Sequence, residues 1–134
     1  MSTDFNEFFD RREQAAQAYA TGDGAPIDAL VPHEGDATFH SPGGDTMTGA
    51  KLVADRYLND AKAFKPIGAS RFEVLQRGSD GDLGFWTGLQ VARVQIGDMP
   101  EPVDMKLRVT EIFRRIDGDW KMIHRRADAG AGRG

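Results

Sequence analysis

The sequence predicts an α+β fold: N-terminal helices packed on a strongly curved antiparallel sheet, a cone whose open end is a pocket. Three observations carry this. Apolar residues recur at helical spacing as far as Phe64, the period changes to two after Ser70, and Asp117-Gly118 marks a tight turn between two late strands. Helices followed by a run of strands is the α+β pattern, and long strands wrapped around a helix leave a concave mouth.

Taken in order, Asp4 and Glu7 have the spacing of a helix N-cap and its reciprocal partner. Phe5, Phe8, Phe9, Arg12, Ala16 and Tyr19 follow on one helical stripe, and Gly22 sits where the helix should stop. PIDALV, Pro26 to Val31, suits a short second helix with proline in its first turn. DATFHS, Asp36 to Ser41, reads as a strand, and PGGDTMTG as a loop. Thr48 is placed to cap a third helix with the apolar stripe Ala50, Val53, Ala54, Tyr57, Leu58, Ala61 and Phe64, broken by Lys65-Pro66-Ile67-Gly68. Four strands complete the chain: FEVLQR, LGFWTGLQVARVQI, VDMKLRVTEIFRRI and WKMIHRRAD. Strands this long need bulges or strong coiling, which Gly84 and Gly88 are placed to permit. The expectation is one domain over residues 1–128, with residues 129–134 (AGAGRG) as a flexible tail rich in glycine.

With 134 residues the chain is long enough for a sizeable core, and 40% hydrophobic with 28% charged residues is ordinary globular composition. A net charge of −4 argues against a nucleic-acid partner. The absence of cysteine excludes disulfides, thiol nucleophiles and thiolate metal sites. The acidic start MSTDFNEFFD lacks a signal peptide's basic, apolar character, and no run approaches the ~18 apolar residues of a membrane helix. A cytoplasmic domain with no membrane partner is the expectation.

Strict alternation on the last strand puts Trp120, Met122, His124, Arg126 and Asp128 on one face and Lys121, Ile123, Arg125 and Ala127 on the other. The first face runs from apolar to polar, as expected of a strand leaving a packed apex for an open mouth; a solvated strand end is the alternative. On the preceding strand Arg108, Thr110, Ile112 and Arg114 alternate with Leu107, Val109, Glu111 and Phe113. No face is purely polar, so both sides of the sheet should be covered, helices on one and a second copy of the chain on the other. Glu111, opposite in face to Arg108, reads as an interface residue.

RVTEIFRRIDGDWKMIHRRAD, with HEGDATFHSPGGDTMTG upstream and GDLGFWTGLQ between, resembles the SnoaL-like and DUF4440-type branch of the NTF2-like (cystatin-like fold) superfamily, over Phe5 to Asp128. Its most specific part is the closing hairpin: T-x-x-F, a DG turn, then W-K-x-x-H. The same ending is similar to the association domain of calcium/calmodulin-dependent kinase II. The resemblance implies a three-helix cone, dimeric through its sheet, with the His124 face lining the pocket. It also implies Arg126 where many relatives have a second histidine, and a cation there favours an anionic ligand. Pocket arginines, as in the kinase association domain, would then be Arg126 and Arg108.

The superfamily spans isomerases, dehydratases, cyclases and non-catalytic modules, so chemistry rests on individual residues. The resemblance to ketosteroid isomerases calls for a tyrosine and an aspartate at positions held here by Ala15 and Ser41, so that mechanism is not expected. His40 and His124 are the catalytic acid–base candidates, since imidazole titrates nearest neutrality. Arg126, Trp86, Tyr57, Asp128 and Arg108 are the ligand-binding candidates, Trp86 and Tyr57 as aromatic walls. His33 reads as a capping or surface residue. A Ser41–His124–Asp128 triad lacks its G-x-S-x-G elbow, and Gly43-Gly44 opens no nucleotide-binding helix. His33, Asp36, His40 and His124 match no metal-ligand motif, and no cofactor is expected. The functional expectation is a pocket for a small anionic or carbonyl-bearing molecule with isomerase, dehydratase or cyclase-type proton transfer, or alternatively a non-catalytic binding or assembly domain.

Overall fold

The structure, a computed structural model, describes residues 2–130. Three helices, α1 (Ser2–Tyr19), α2 (Ala25–Ala29) and α3 (Ala50–Ala61), alternate with the short strands β1 (Thr38–His40) and β2 (Thr46–Thr48) before four long strands. These are β3 (Ala69–Asp80), β4 (Leu83–Val94), β5 (Val103–Ile116) and β6 (Asp119–Asp128). All six strands form one sheet in the order β2-β1-β6-β5-β4-β3, antiparallel except where β1 runs parallel to β6. The expected α+β architecture of N-terminal helices on a curved, mostly antiparallel sheet is what the chain adopts.

Local differences from expectation have simple causes. Thr46–Thr48, expected as loop, pairs with β1 as a strand, because the Ser41–Asp45 turn brings it back antiparallel. Gly49 rather than Thr48 precedes α3, and no side chain caps it. Asp4 lies inside the first turn of α1 rather than ahead of it. Asp117 and Gly118 both have positive φ, 53° and 87°, the left-handed pair that an Asp-Gly hairpin turn requires. Of the expected tail, residues 131–134 lie outside the described residues, while Gly130 donates its amide to Asp128 Oδ1 at 2.8 Å.

Side-chain size along α1 divides the interior. Its first half carries Phe5, Phe8 and Phe9, which pack with Phe113 and Trp120 into an aromatic plug; Phe5–Trp120 and Phe8–Phe113 are edge contacts at 5.1 and 5.0 Å. Its second half carries Ala16, and Ala20 follows just past its end; both leave space. The inner face of β4 repeats the gradient, from Trp86 to Gln90 and Ala92. One end of the sheet is therefore filled and the other is hollow.

Two bulges shape the strands. On β3 the register slips between Val74 and Gln76, leaving Leu75 extra, and Gly88 lies directly opposite. A Cβ on Gly88 would stand 2.1 Å from the Glu73 carbonyl oxygen, so only glycine allows this approach. On β6 Ile112 pairs with His124 and Phe113 with Met122, leaving Ile123 extra.

Candidate functional site

The bulge at Ile123 decides which side chains of β6 face the interior. One extra residue inverts the alternation beyond it. Trp120 and Met122 point inward as expected, but after the bulge Arg125 and Ala127 take the inner face, Ala127 almost wholly buried. His124, Arg126 and Asp128 are turned to the outer face, away from the helices. The expectation that these three line the pocket is thus corrected, and the physical reason is a single unpaired residue.

The hollow end holds a cavity of about 380 Å³ between α1, α3 and the inner faces of β4, β5 and β6. Its walls are mostly apolar, including Ile27, Phe39, Phe64, Ile96, Leu107 and Met122, and Asp60 also lines it. Arg12, Gln90 and Arg125 supply a polar wall, and Tyr19 and Tyr57 also line the space.

The polar wall is organised by Glu111, which is fully buried. Arg12 grips it with two hydrogen bonds, Nε to Oε1 at 2.8 Å and Nη2 to Oε2 at 2.7 Å. Arg125 Nη1 donates to the same Oε2, and Trp86 Nε1 donates to Oε1 at 2.8 Å. Arg125 Nη2 donates to Gln90 Oε1 at 2.7 Å, and Gln90 in turn donates to Ser70 Oγ at 3.0 Å. Burial alone would raise the Glu111 pKa, but the two guanidiniums outweigh it and hold the carboxyl at about 2. Two arginines against one carboxylate leave one net positive charge in the wall. Arg12 Nη1 is buried without a hydrogen-bond partner among the described residues.

Burial pushes the Tyr19 phenol up to about 12, with Asp60 adding to the shift. Burial raises Tyr57 as well. Both hydroxyls therefore keep their protons at neutral pH. Asp60 is held by Arg56, whose Nε donates to Asp60 Oδ2 at 2.8 Å while Nη1 donates to Asp45 Oδ2 at 2.7 Å. Hydrogen bonds from Arg56 and Ser41 lower the Asp45 pKa to about 2. One guanidinium thus ties the β1–β2 turn, which contributes Pro42 to the cavity, to the end of α3.

Of the residues expected in the site, Tyr57 lines the cavity. Trp86 is fully buried behind it, its indole spent on Glu111 and stacked on Phe72 at 4.3 Å. Glu111 is the centre of the buried charge cluster and not an interface residue. His40 and His124 lie together on the outer face, ring centroids 5.4 Å apart. The His124 pKa is lowered by partial burial first, then by His40 and Arg126. Arg108, Arg126 and Asp128 border a separate shallow depression with Leu75, Thr87 and Leu89. There Arg108 Nε donates to Asp128 Oδ1 at 2.8 Å, which lowers the Asp128 pKa. His33 stays at the surface beside Asp28, and Ser41 bonds Asp45.

Arg12, Gln90, Arg125 and Asp60 line the cavity although none is among the site candidates that the sequence offers. A signal for Arg12 and Glu111 existed, since each is the one charge on a stripe that is otherwise core-facing: Phe5-Phe8-Phe9-Arg12-Ala16 and Leu107-Val109-Glu111-Phe113. Opposite charges on two buried stripes must meet. Arg125 gave no such signal, because its orientation depends on the bulge.

The curved sheet, the three helices and the cavity at the sheet's hollow end are those of the NTF2-like, cystatin-like class. A superfamily protein of that name from Salmonella enterica serovar Typhimurium superposes with a TM-score of 0.77 at 14% identity, over 98% of this chain and 95% of that one. A candidate dehydratase of the NTF2-like family from Streptomyces avermitilis gives 0.75 at 15%, over 98% and 96%. A candidate calcium/calmodulin-dependent protein kinase II association domain from Xanthomonas campestris gives 0.66 at 15%, over 86% and 79%. At these identities the likeness is one of fold. The profile of the SnoaL-like domain matches residues 10–127, and the chain belongs to that family. No curated protein matches it. No helix among the described residues is long and apolar enough to cross a membrane.

Proposed function

We propose that the chain binds a small, largely apolar molecule carrying one carboxylate or polarised carbonyl, seated in the cavity with that group against Arg12 and Arg125. The observation that carries this is the unmatched cationic wall. Arg12 and Arg125 share one carboxylate, and Arg12 Nη1 is left buried without a partner among the described residues. A buried donor in this state is costly unless a ligand or water meets it, and a charged acceptor meets it best. The apolar walls suit the remainder of such a molecule.

The test is a thermal-shift and calorimetric comparison of aromatic and medium-chain carboxylates with their neutral amides. Carboxylates should raise Tm with the logarithm of concentration once above Kd, and Ala92→Phe, which fills the cavity, and Arg125→Leu should abolish the shift. Equal stabilisation by amides, or none by either, overturns the reading.

Proton transfer of the isomerase, dehydratase or cyclase kind is the second reading, favoured by two cavity-lining phenols that stay protonated and by Asp60, which lines the same cavity. In it Tyr57 donates to a developing oxyanion and Asp60 accepts the carbon-bound proton. Turnover of enolisable ketones or hydroxy acids should fall with Tyr57→Phe and Asp60→Asn and persist in His40→Ala and His124→Ala. No turnover alongside carboxylate binding leaves the binding reading alone.

The outer face of the sheet is assigned, in the same proposal, to a second copy of the chain. Leu75, Leu83, Phe85 and Ile112 are exposed there, an apolar strip on a face with no helix over it. Sedimentation should show a dimer that Phe85→Lys together with Ile112→Lys converts to monomer. A wild-type monomer at high concentration rules it out.

A further inference from the structure

On the outer face, away from the cavity, His40 of β1 and His124 of β6 stand side by side with ring centroids 5.4 Å apart and planes at 76°. The sheet register fixes this neighbourhood: Thr38 pairs with His124, and His40, two residues along the same strand, pairs with Arg126. Each ring is steadied through Nδ1 by a threonine hydroxyl. His124 Nδ1 lies 2.6 Å from Thr38 Oγ1, and His40 Nδ1 lies 2.9 Å from Thr46 Oγ1. Nε2 of both rings is left without a protein partner among the described residues.

This arrangement has the features of a pair of metal ligands. Ligating histidines characteristically have the other ring nitrogen hydrogen-bonded, which fixes the ring's orientation. Two imidazoles sharing one tetrahedral ion at about 2.0–2.1 Å would hold their centroids roughly 5 Å apart. Strand backbones position both residues, so little side-chain freedom is lost on binding. The neighbouring cation, Arg126, which pairs with His40 in the register, is partly neutralised by Asp128, with Nε 3.6 Å from Oδ2.

We propose that His40 and His124 form a site for a late-transition divalent cation such as zinc or nickel, ligated through both Nε2 atoms, with Thr38 and Thr46 orienting the rings. No group of three or more His, Cys, Asp or Glu side chains capable of holding an ion occurs among the described residues, so water completes the coordination and the ion is exchangeable. Imidazole nitrogen without carboxylate selects zinc, nickel or copper over magnesium and calcium. The site is independent of the cavity and stands whether or not the cavity binds a carboxylate.

The test is titration of the full chain with zinc chloride, nickel chloride and magnesium chloride at pH 7.5, read by calorimetry and by imidazole nitrogen NMR. Zinc and nickel should bind one ion per chain and shift Nε2 of both histidines, and magnesium should not bind. His40→Ala and His124→Ala, both checked for folding by circular dichroism, should each abolish the shift of the remaining ring and weaken binding more than ~10-fold, the lower end of the 10–100-fold expected for the milder Thr38→Val. His33→Ala should bind as wild type does. Absence of zinc binding, zinc binding that survives both histidine variants, or its loss with His33→Ala would each overturn the proposal.

Discussion

Glu111 and Arg125 stand directly opposite each other on β5 and β6, and the Arg125 guanidinium donates to the Glu111 carboxylate from the inner side of the sheet. They meet because Ile123 is an extra residue on β6. Without that bulge, alternation from Met122 would have turned His124 inward and left Glu111 with Arg12 as its one cationic partner. The cavity's charge therefore follows from a backbone irregularity as much as from composition.

Removing the carboxylate should be costly. Glu111→Ala leaves two guanidiniums buried against each other, and loss of one partner in such a cluster costs about 3–5 kcal/mol. Trp86→Phe removes only one donor to Glu111 and should cost about 1–3 kcal/mol. Urea unfolding of the two variants beside wild type measures both, and a Glu111→Ala cost below that of Trp86→Phe contradicts the arrangement.

Acid should erase the difference. The folded-state pKa of Glu111, about 2, lies below its ordinary value of 4.5. A depressed pKa contributes stability that is fully present above the unfolded-state value and is lost as pH falls toward the folded one. The advantage of wild type over Glu111→Gln should thus be constant near neutrality and shrink between about pH 4.5 and 2. Taking the difference between the proteins removes the contribution of Asp45, which titrates in the same range.

Gly88 is tested by a single methyl group. Gly88→Ala drives a Cβ against the Glu73 carbonyl at the β3 bulge and should destabilise by at least about 1–3 kcal/mol. Gly43→Ala, whose added carbon meets nothing closer than 3.7 Å, should change stability by no more than about 0.5 kcal/mol. Thermal unfolding distinguishes them.

Arg56 joins the β1–β2 turn to α3 through Asp45 and Asp60. Arg56→Gln should speed amide hydrogen exchange at Ser41 and Gly44, whose amides bond within that turn, while leaving exchange in β4 and β5 unchanged. Unaltered exchange at the turn would show that the backbone alone holds it closed.

Much of the fold was legible because it rests on local rules. Apolar spacing marked the Phe5-Phe8-Phe9 face of α1 and the Tyr57 face of α3, period-two alternation marked β4 and β5, and Asp117-Gly118 marked the last turn. The site was less legible. Tyr57 lines the cavity, whereas His124, Arg126 and Asp128 lie on the side of their strand opposite to the one strict alternation assigns them. Reading faces by strict alternation assumes an unbroken ladder, and nothing in WKMIHRRAD announces that Ile123 is unpaired.

The sequence by itself determined the helices and the four long strands, their order and the aromatic half of the core, because spacing, turn chemistry and side-chain volume act within a few residues. Only the tertiary structure decided that Arg12, Glu111 and Arg125 meet in the cavity wall and that His40 and His124 meet outside it. Arg12 and Glu111 are 99 positions apart, and Thr38, which orients His124 beside His40, is 86 positions from it. These contacts depend on where the sheet register slips, which is settled by packing across strands rather than by the order of residues along one.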